Sequence, residues 1–270
     1  MFKRIENQGL VYFCSQEFIR TGLVVHAFSS RLGGISTGVY AGLNLSFMTK
    51  DEPEKIYKNR NIFLSTLGID QKNVVCAQQV HKDKIYRVEK KDLKSGSIEM
   101  HDSIAETDAL ITSEPQIPLM LFFADCVPIL LLDVSCKAVA VIHAGWKGTI
   151  AQIAAKTVAA MQKEFNSSPK NILAAIGPSI GPCHYEVDMP VIRAVQSLYP
   201  ETWSELLQKS TNEDRAYFDL WSANIRQLHC SGVLKDHIYC MHSCTLCNKE
   251  LFFSHRGGMS GRHAALIMLR

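Results

Sequence analysis

Apolar positions recur on two periods along this chain, and the changes of period mark out its elements. Residues 23–28 read as a strand, followed by a turn at Arg31-Leu32-Gly33-Gly34. Asp51 is placed to cap a helix with Pro53 in its first turn. Ile56, Ile62, Phe63 and Leu67 repeat on it at helical spacing, and Gly68 supplies the stop. Residues 73–76 and 84–88 read as extended, with Gln78-Gln79-Val80-His81 between them, and residues 109–112 form a short strand. Two apolar runs, 127–132 and 138–142, flank Asp133-Val134-Ser135-Cys136-Lys137, which predicts an antiparallel hairpin centred between Val134 and Ser135. Gly148 then opens a helix whose Ile150, Ile153, Ala154, Val158, Met161 and Phe165 make one apolar stripe. A strand at 172–176, helices capped by Asp188 and Asp219, and strands at 237–241 and 264–269 complete the pattern. Strands and helices are mixed without strict alternation. That predicts an α+β fold, a layered single domain over residues 1–270 with a mixed or antiparallel sheet and packed helices.

The hairpin has a chemical consequence. In the predicted register Cys126 faces His143, and directly opposed residues place their Cβ atoms roughly 4.5–5.5 Å apart. A thiol and an imidazole that close share a metal or form a nucleophile–base pair. Pro128 weakens the register, because proline in a strand implies an edge or a bulge. Catalytic zinc takes three protein ligands and keeps one open position. His81 is the third candidate, because it follows the polar pair Gln78-Gln79 at a strand edge and lies outside any apolar stripe. Two imidazoles and one thiolate on zinc leave a site able to lower the pKa of a bound water.

Composition narrows the class. The chain has 270 residues, 47% hydrophobic and 20% charged, with a net charge of +3. That charge is too weak for a nucleic-acid face but leaves room for pockets that bind small anions. The longest apolar run, Leu119 to Leu132, contains Asp125 and is too short to span a bilayer. Nine cysteines cannot all pair within one chain, and the first residues lack a signal-peptide pattern. Both point to a reducing cytoplasm.

Other strings carry weaker signals. Ala144-Gly145-Trp146-Lys147-Gly148-Thr149 is a strand-to-helix turn, and a helix N-terminus with Lys147 beside it suits phosphate. Cys240-x3-Cys244-x2-Cys247 has the spacing of radical iron–sulfur enzymes, but no barrel of strand–helix units follows it. A zinc knuckle with His242 or His255 as fourth ligand is an alternative, and reduced loop cysteines rank first. Arg31, Asp108, Asp125, Arg256 and Arg262 lie in or beside apolar or glycine-rich strings, where a backbone can approach a ligand closely.

Taken together, Gln79-Val80-His81, Thr107-Asp108-Ala109, Ala124-Asp125-Cys126-Val127-Pro128 and His143-Ala144-Gly145-Trp146-Lys147-Gly148 resemble the YfiH-like or laccase-domain family. Residues 177–187, Gly261-Arg262-His263-Ala264, and Arg31-x-Gly33-Gly34 with Leu43-Asn44-Leu45 match its pattern in the same order. The resemblance implies a layered α+β fold related to bacterial deamidating toxins that use a Cys–His dyad. It implies an enzyme that cleaves adenosine, inosine and methylthioadenosine with phosphate and also deaminates adenosine. It maps the metal ligands onto His81, Cys126 and His143, with zinc as the ion and copper as its alternative. Asp108 or Asp125 is then the candidate acid. Arg31, Lys147 and the helix N-terminus at Gly148 are candidates for phosphate, with Asn44 and Arg262 as further substrate contacts. An older family label is multicopper polyphenol oxidase, but the dense His-x-His pattern of several coppers is missing here. A metal-free cysteine hydrolase and a binding protein with a structural zinc stay open. A homodimer is compatible with the sequence but required by no motif.

Overall fold

The apolar run from Leu119 to Leu132 divides into two strands that belong to different sheets. This is seen in a computed structural model, which describes residues 1–99 and 101–270. Leu119–Phe123 lies in a six-stranded sheet ordered Phe2–Asn7, Leu10–Ser15, Val24–Ser29, His263–Leu269, Leu119–Phe123, Val75–Cys76. Neighbours there are antiparallel except for the last pair. Val127–Asp133 lies in a second six-stranded sheet, ordered Ile238–Cys240, Ile172–Ile176, Val127–Asp133, Ala138–Ala144, Ala109–Thr112, Ile85–Arg87, with parallel pairs at both edges. A small antiparallel sheet joins Glu186–Asp188, Arg215–Phe218 and Leu207–Lys209.

Alternation along each strand explains the layers. Leu130, Leu132, Val139 and Val141 point from the second sheet to Leu119, Leu121, Phe123, Ala265 and Ile267 of the first. The opposite face of the second sheet, with Ile129, Leu131, Ala140 and Ile142, packs on Ile153, Val158, Met161, Val195 and Leu228 of three helices. The outer face of the first sheet carries Met120, Phe122, Leu266 and Met268 against Phe63 and Leu64 of helix Pro53–Thr66. Strands covered on both faces read as unbroken apolar runs, which is why the crossing at 124–126 is hidden in the sequence. The α+β class and mixed sheets expected from the pattern are present. Among the described residues, no helix is long and apolar enough to cross a membrane.

Several local expectations need correction. Pro128, not Cys126, is paired with His143, so the hairpin is shifted by two residues. An even shift keeps each side chain on its face, and Cys126 stays on the side of His143. The helix predicted from Gly148 is two helices, Trp146–Ile150 and Ile153–Phe165, separated by Gln152 in the left-handed region at φ 61°. Glu52 rather than Asp51 occupies the cap of helix Pro53–Thr66, and the Asp51 carboxylate binds Ser36 and Asn44 instead. The first two strands and the small sheet were not foreseen.

Candidate metal centre and its cavity

Three strand ends and one loop build the site. Asp108 immediately precedes Ala109–Thr112, Cys126 precedes Val127–Asp133, and His143 is the penultimate residue of Ala138–Ala144. His81 follows the short strand Val75–Cys76. Its loop is strapped to the first sheet by Gln79, whose amide nitrogen donates to the Phe122 carbonyl at 2.8 Å and whose oxygen accepts from the Phe122 N–H at 2.9 Å.

Asp108 organises this assembly from behind. Its fully buried carboxylate accepts from the N–H groups of Val80, His81 and Lys82 at 3.2, 3.0 and 2.8 Å. Three successive amides converge on one carboxylate because His81 sits at φ 59°, and such a concave run of N–H groups binds an anion. Oδ1 of Asp108 also lies 2.7 Å from Nδ1 of His143. That contact keeps the proton on Nδ1 and leaves Nε2 as the free donor nitrogen. Burial is the largest influence on Asp108 and opposes its charge, but the hydrogen bond and charge of His143 and the N–H groups of Lys82 and Val80 together hold the carboxyl below its ordinary value.

His81, Cys126 and His143 present one nitrogen, one sulfur and one nitrogen, all within 4.8 Å of one another. The two rings meet edge to face with centroids 4.7 Å apart. Burial raises the Cys126 thiol, yet His143 and His81 pull it down to about 6. Burial lowers His143, yet Cys126 and Asp108 push it up to about 9. The centre therefore stores a thiolate beside an imidazolium, and a cation that displaces the proton gains a sulfur anion and two imidazoles. Buried His143, half-buried Cys126 and exposed His81 form a three-donor set open on one side, which fits a catalytic zinc. It is a set for one ion, not for several coppers. Gly145 makes the approach feasible, since a Cβ there would sit 3.0 Å from Sγ of Cys126 and 3.2 Å from Cδ2 of His81.

The three residues line a cavity of about 430 Å³ together with Phe122, Trp146, Tyr185, His255, Arg256 and Arg262. Asp125 also borders it, at φ 84°, where the chain crosses between sheets. Its carboxylate accepts from Oγ1 of Thr245 at 2.6 Å and from the Arg256 N–H at 2.7 Å. Asp125 thus ties the loop bearing Arg256 to the centre, and Asp108 is occupied behind His143. Both carboxylates have positioning geometry.

The other sequence candidates separate. Arg262 lines the cavity, with its N–H bound to Oδ1 of Asn44 at 3.0 Å and Nη1 bound to the carbonyls of Ser260 and Gly261 at 2.9 Å. Asn44 is buried outside the cavity lining. Arg31 is turned away, with its guanidinium on the carbonyls of Ala41 and Lys249 and over the Phe253 ring. Lys147 is exposed and lies over Trp146 outside the cavity lining. Gly148 is buried under the His81 loop, 3.2 Å from the Lys82 carbonyl at its would-be Cβ. Tyr185 and His255 were missed as lining residues, although Tyr185 lies in the matched string Gly181-Pro182-Cys183-His184-Tyr185.

A sequence model of the family described as multi-copper polyphenol oxidoreductase laccase matches residues 25–270, and the chain belongs to that family. Purine nucleoside phosphorylase YlmD of Geobacillus stearothermophilus is 37% identical over 245 residues, covering 90% of this chain and 89% of that protein. Adenosine deaminase RL5, from an unknown prokaryotic organism, is 30% identical over 249 residues, covering 91% and 94%. The crystal structure of Bacillus licheniformis hypothetical protein YfiH superposes with a TM-score of 0.93 at 32% identity, covering 100% of this chain and 99% of that one.

Proposed function

We propose that the protein is a zinc-dependent purine nucleoside enzyme. It cleaves adenosine, inosine and methylthioadenosine with phosphate to the free base and the sugar 1-phosphate, and it deaminates adenosine by hydrolysis. The observation that carries this reading is one cavity holding a three-donor centre, aromatic walls and two arginines. Relatives named purine nucleoside phosphorylase and adenosine deaminase support the substrate class.

Arg256 and Arg262 bind the phosphate, a role for which paired guanidinium forks are suited. Phe122, Trp146 and Tyr185 enclose the base and exclude water from the sugar. As the glycosidic bond breaks, positive charge grows on the sugar and the phosphate oxygen closes on it. Asp108 holds the proton at Nδ1 of His143 and fixes the direction of its ring. Asp125 holds Arg256 at the cavity. A zinc ion on His81, Cys126 and His143 would supply Lewis-acid polarisation to the reacting group.

The test is a product assay. Purified protein is incubated with each nucleoside, with and without phosphate, and bases are followed by chromatography. Free base is expected only with phosphate, inosine is expected from adenosine, and both vanish in Cys126→Ala. Absence of base and of inosine from all three nucleosides overturns the reading. The Cys126 thiol at about 6 beside His143 favours a second reading, a cysteine hydrolase with Cys126 as nucleophile. Activity that survives exhaustive chelation but not alkylation of Cys126 selects it.

A further inference from the structure

A second group of metal-type donors lies outside the centre described above. Cys183, His184, Cys244 and Cys247 come from two segments far apart in sequence, and their donor atoms all lie within 4.8 Å of one another. Sγ of Cys183 is 3.5 Å from Sγ of Cys247. Nδ1 of His184 is 3.3 Å from Cys183, 3.3 Å from Cys247 and 3.7 Å from Cys244. A tetrahedron with Zn–S of roughly 2.3 Å and Zn–N of roughly 2.0–2.1 Å has edges of roughly 3.5–3.8 Å. The four separations of 3.3–3.7 Å lie close to those edges, whereas a disulfide brings two sulfurs to about 2.05 Å and gathers only a pair.

The backbone N–H groups of Cys247, Gly181 and Leu246 are directed at the sulfur of Cys244. Amides hydrogen-bonded to a ligand sulfur are the outer support that metal–thiolate sites use. The set differs from the one the sequence spacing suggested. Cys240 ends the strand Ile238–Cys240 and is not in the group. His242 stands edge-on to Trp221 with centroids 5.4 Å apart, and His255 lines the cavity. Cys183 and His184 take their places.

We propose that Cys183, His184, Cys244 and Cys247 form a closed, tetrahedral structural zinc site that clamps one wall of the cavity. Four protein donors leave no open position, so the site holds structure and does no chemistry. The clamped segments also meet through the Ser179 N–H on the Ser243 carbonyl at 3.2 Å and the Thr245 N–H on the Ser179 carbonyl at 3.0 Å. Tyr185 directly follows His184, and Thr245 directly follows Cys244 and donates to Asp125. Both chains of contact end at the cavity, on Tyr185 and Arg256. The site rests on none of the purine chemistry.

The experiment separates the two centres. Protein carrying Cys126→Ala is purified, dialysed against a weak chelator and analysed for zinc, and its zinc environment is read by X-ray absorption. One zinc per chain with about three sulfurs and one nitrogen in its shell is expected. Adding Cys244→Ser and Cys247→Ser is expected to remove that zinc. Because the added substitutions can also unfold the chain, the absorption measurement on the Cys126→Ala protein decides by itself. No retained zinc, a shell of nitrogen and oxygen only, or a Cys183–Cys247 disulfide found by peptide mapping overturns the proposal.

Discussion

Replacing Asp108 with asparagine keeps the shape of the side chain and removes its charge and half of its acceptor capacity. All of its partners are donors: the N–H groups of Val80, His81 and Lys82, and Nδ1 of His143. The asparagine NH2 must therefore face donors whichever way it turns. Turned towards Val80 and Lys82, it leaves two backbone donors without an acceptor. Each such group costs about 1–3 kcal/mol, so this orientation costs roughly 2–6 kcal/mol. Turned the other way, it opposes the His81 N–H and forces Nδ1 of His143 to accept. The ring proton then moves to Nε2, and the free donor nitrogen of the centre is lost. Loss of such an orienting partner typically weakens metal affinity by about 10–100-fold. In a chain of this size, 2 kcal/mol corresponds to roughly 4–8 °C in melting temperature. The assay is a thermal melt in chelator, paired with zinc competition against a chromogenic indicator. Asp108→Asn is expected to melt at least 4 °C lower or to bind zinc at least tenfold more weakly (about one to two hydrogen bonds' worth in either case). A variant that melts within 1 °C of the parent and binds zinc equally well would refute the reasoning, since no orientation of the amide satisfies every donor.

Gly145→Ala places a methyl 3.0 Å from Sγ of Cys126 and 3.2 Å from Cδ2 of His81; zinc affinity should fall while the metal-free melt stays near that of the parent, which calorimetry with and without zinc checks. Arg262→Met removes a cation from the cavity lining, and the loss of one charge-assisted contact of about 1.5–3 kcal/mol should raise the KM for phosphate roughly 10–100-fold; an unchanged KM would show that phosphate is held elsewhere. Burial holds the His26 imidazole down to about 4 from 6.5, with Nε2 accepting from the Ser15 N–H at 2.9 Å. Its folded value is depressed, so the stabilisation it gives is complete above pH 6.5 and is lost as pH falls towards 4, about 3 kcal/mol in all, and urea titrations of the parent and His26→Gln across that window should differ in slope.

Which parts of this molecule could be read from its sequence follows from where each signal is local. The strand Ile172–Ile176 and the stripe on Ile153–Phe165 were legible because burial imposes a period that a short window contains. The break at Gln152 was not, because a left-handed glutamine leaves no compositional trace. The crossing at Asp125 was hidden for the same reason: it is made by a single positive-φ residue between two runs that are apolar throughout. The pairing of Cys126 with His143 gave way to Pro128, but Cys126 stayed on the side of His143 because an even shift preserves the face. His81 was reachable through the polar pair Gln78-Gln79 before it, of which Gln79 makes two hydrogen bonds to the Phe122 backbone.

Arginine direction is the opposite case. Arg31 and Arg262 both flank glycines, yet one guanidinium binds loop carbonyls remote from the cavity and the other lines it. The backbone that decides between them is folded by contacts more than two hundred residues apart, such as the Arg262 N–H on Asn44. The same distance split the Cys/His cluster. The spacing Cys240-x3-Cys244-x2-Cys247 offered a zinc knuckle only as an alternative to reduced loop cysteines, and the donors that join Cys244 and Cys247, Cys183 and His184, lie on the far side of two helices and a sheet in sequence. Spacing identifies donors that one loop can bring together, so a site assembled by sheet topology shows only its local half.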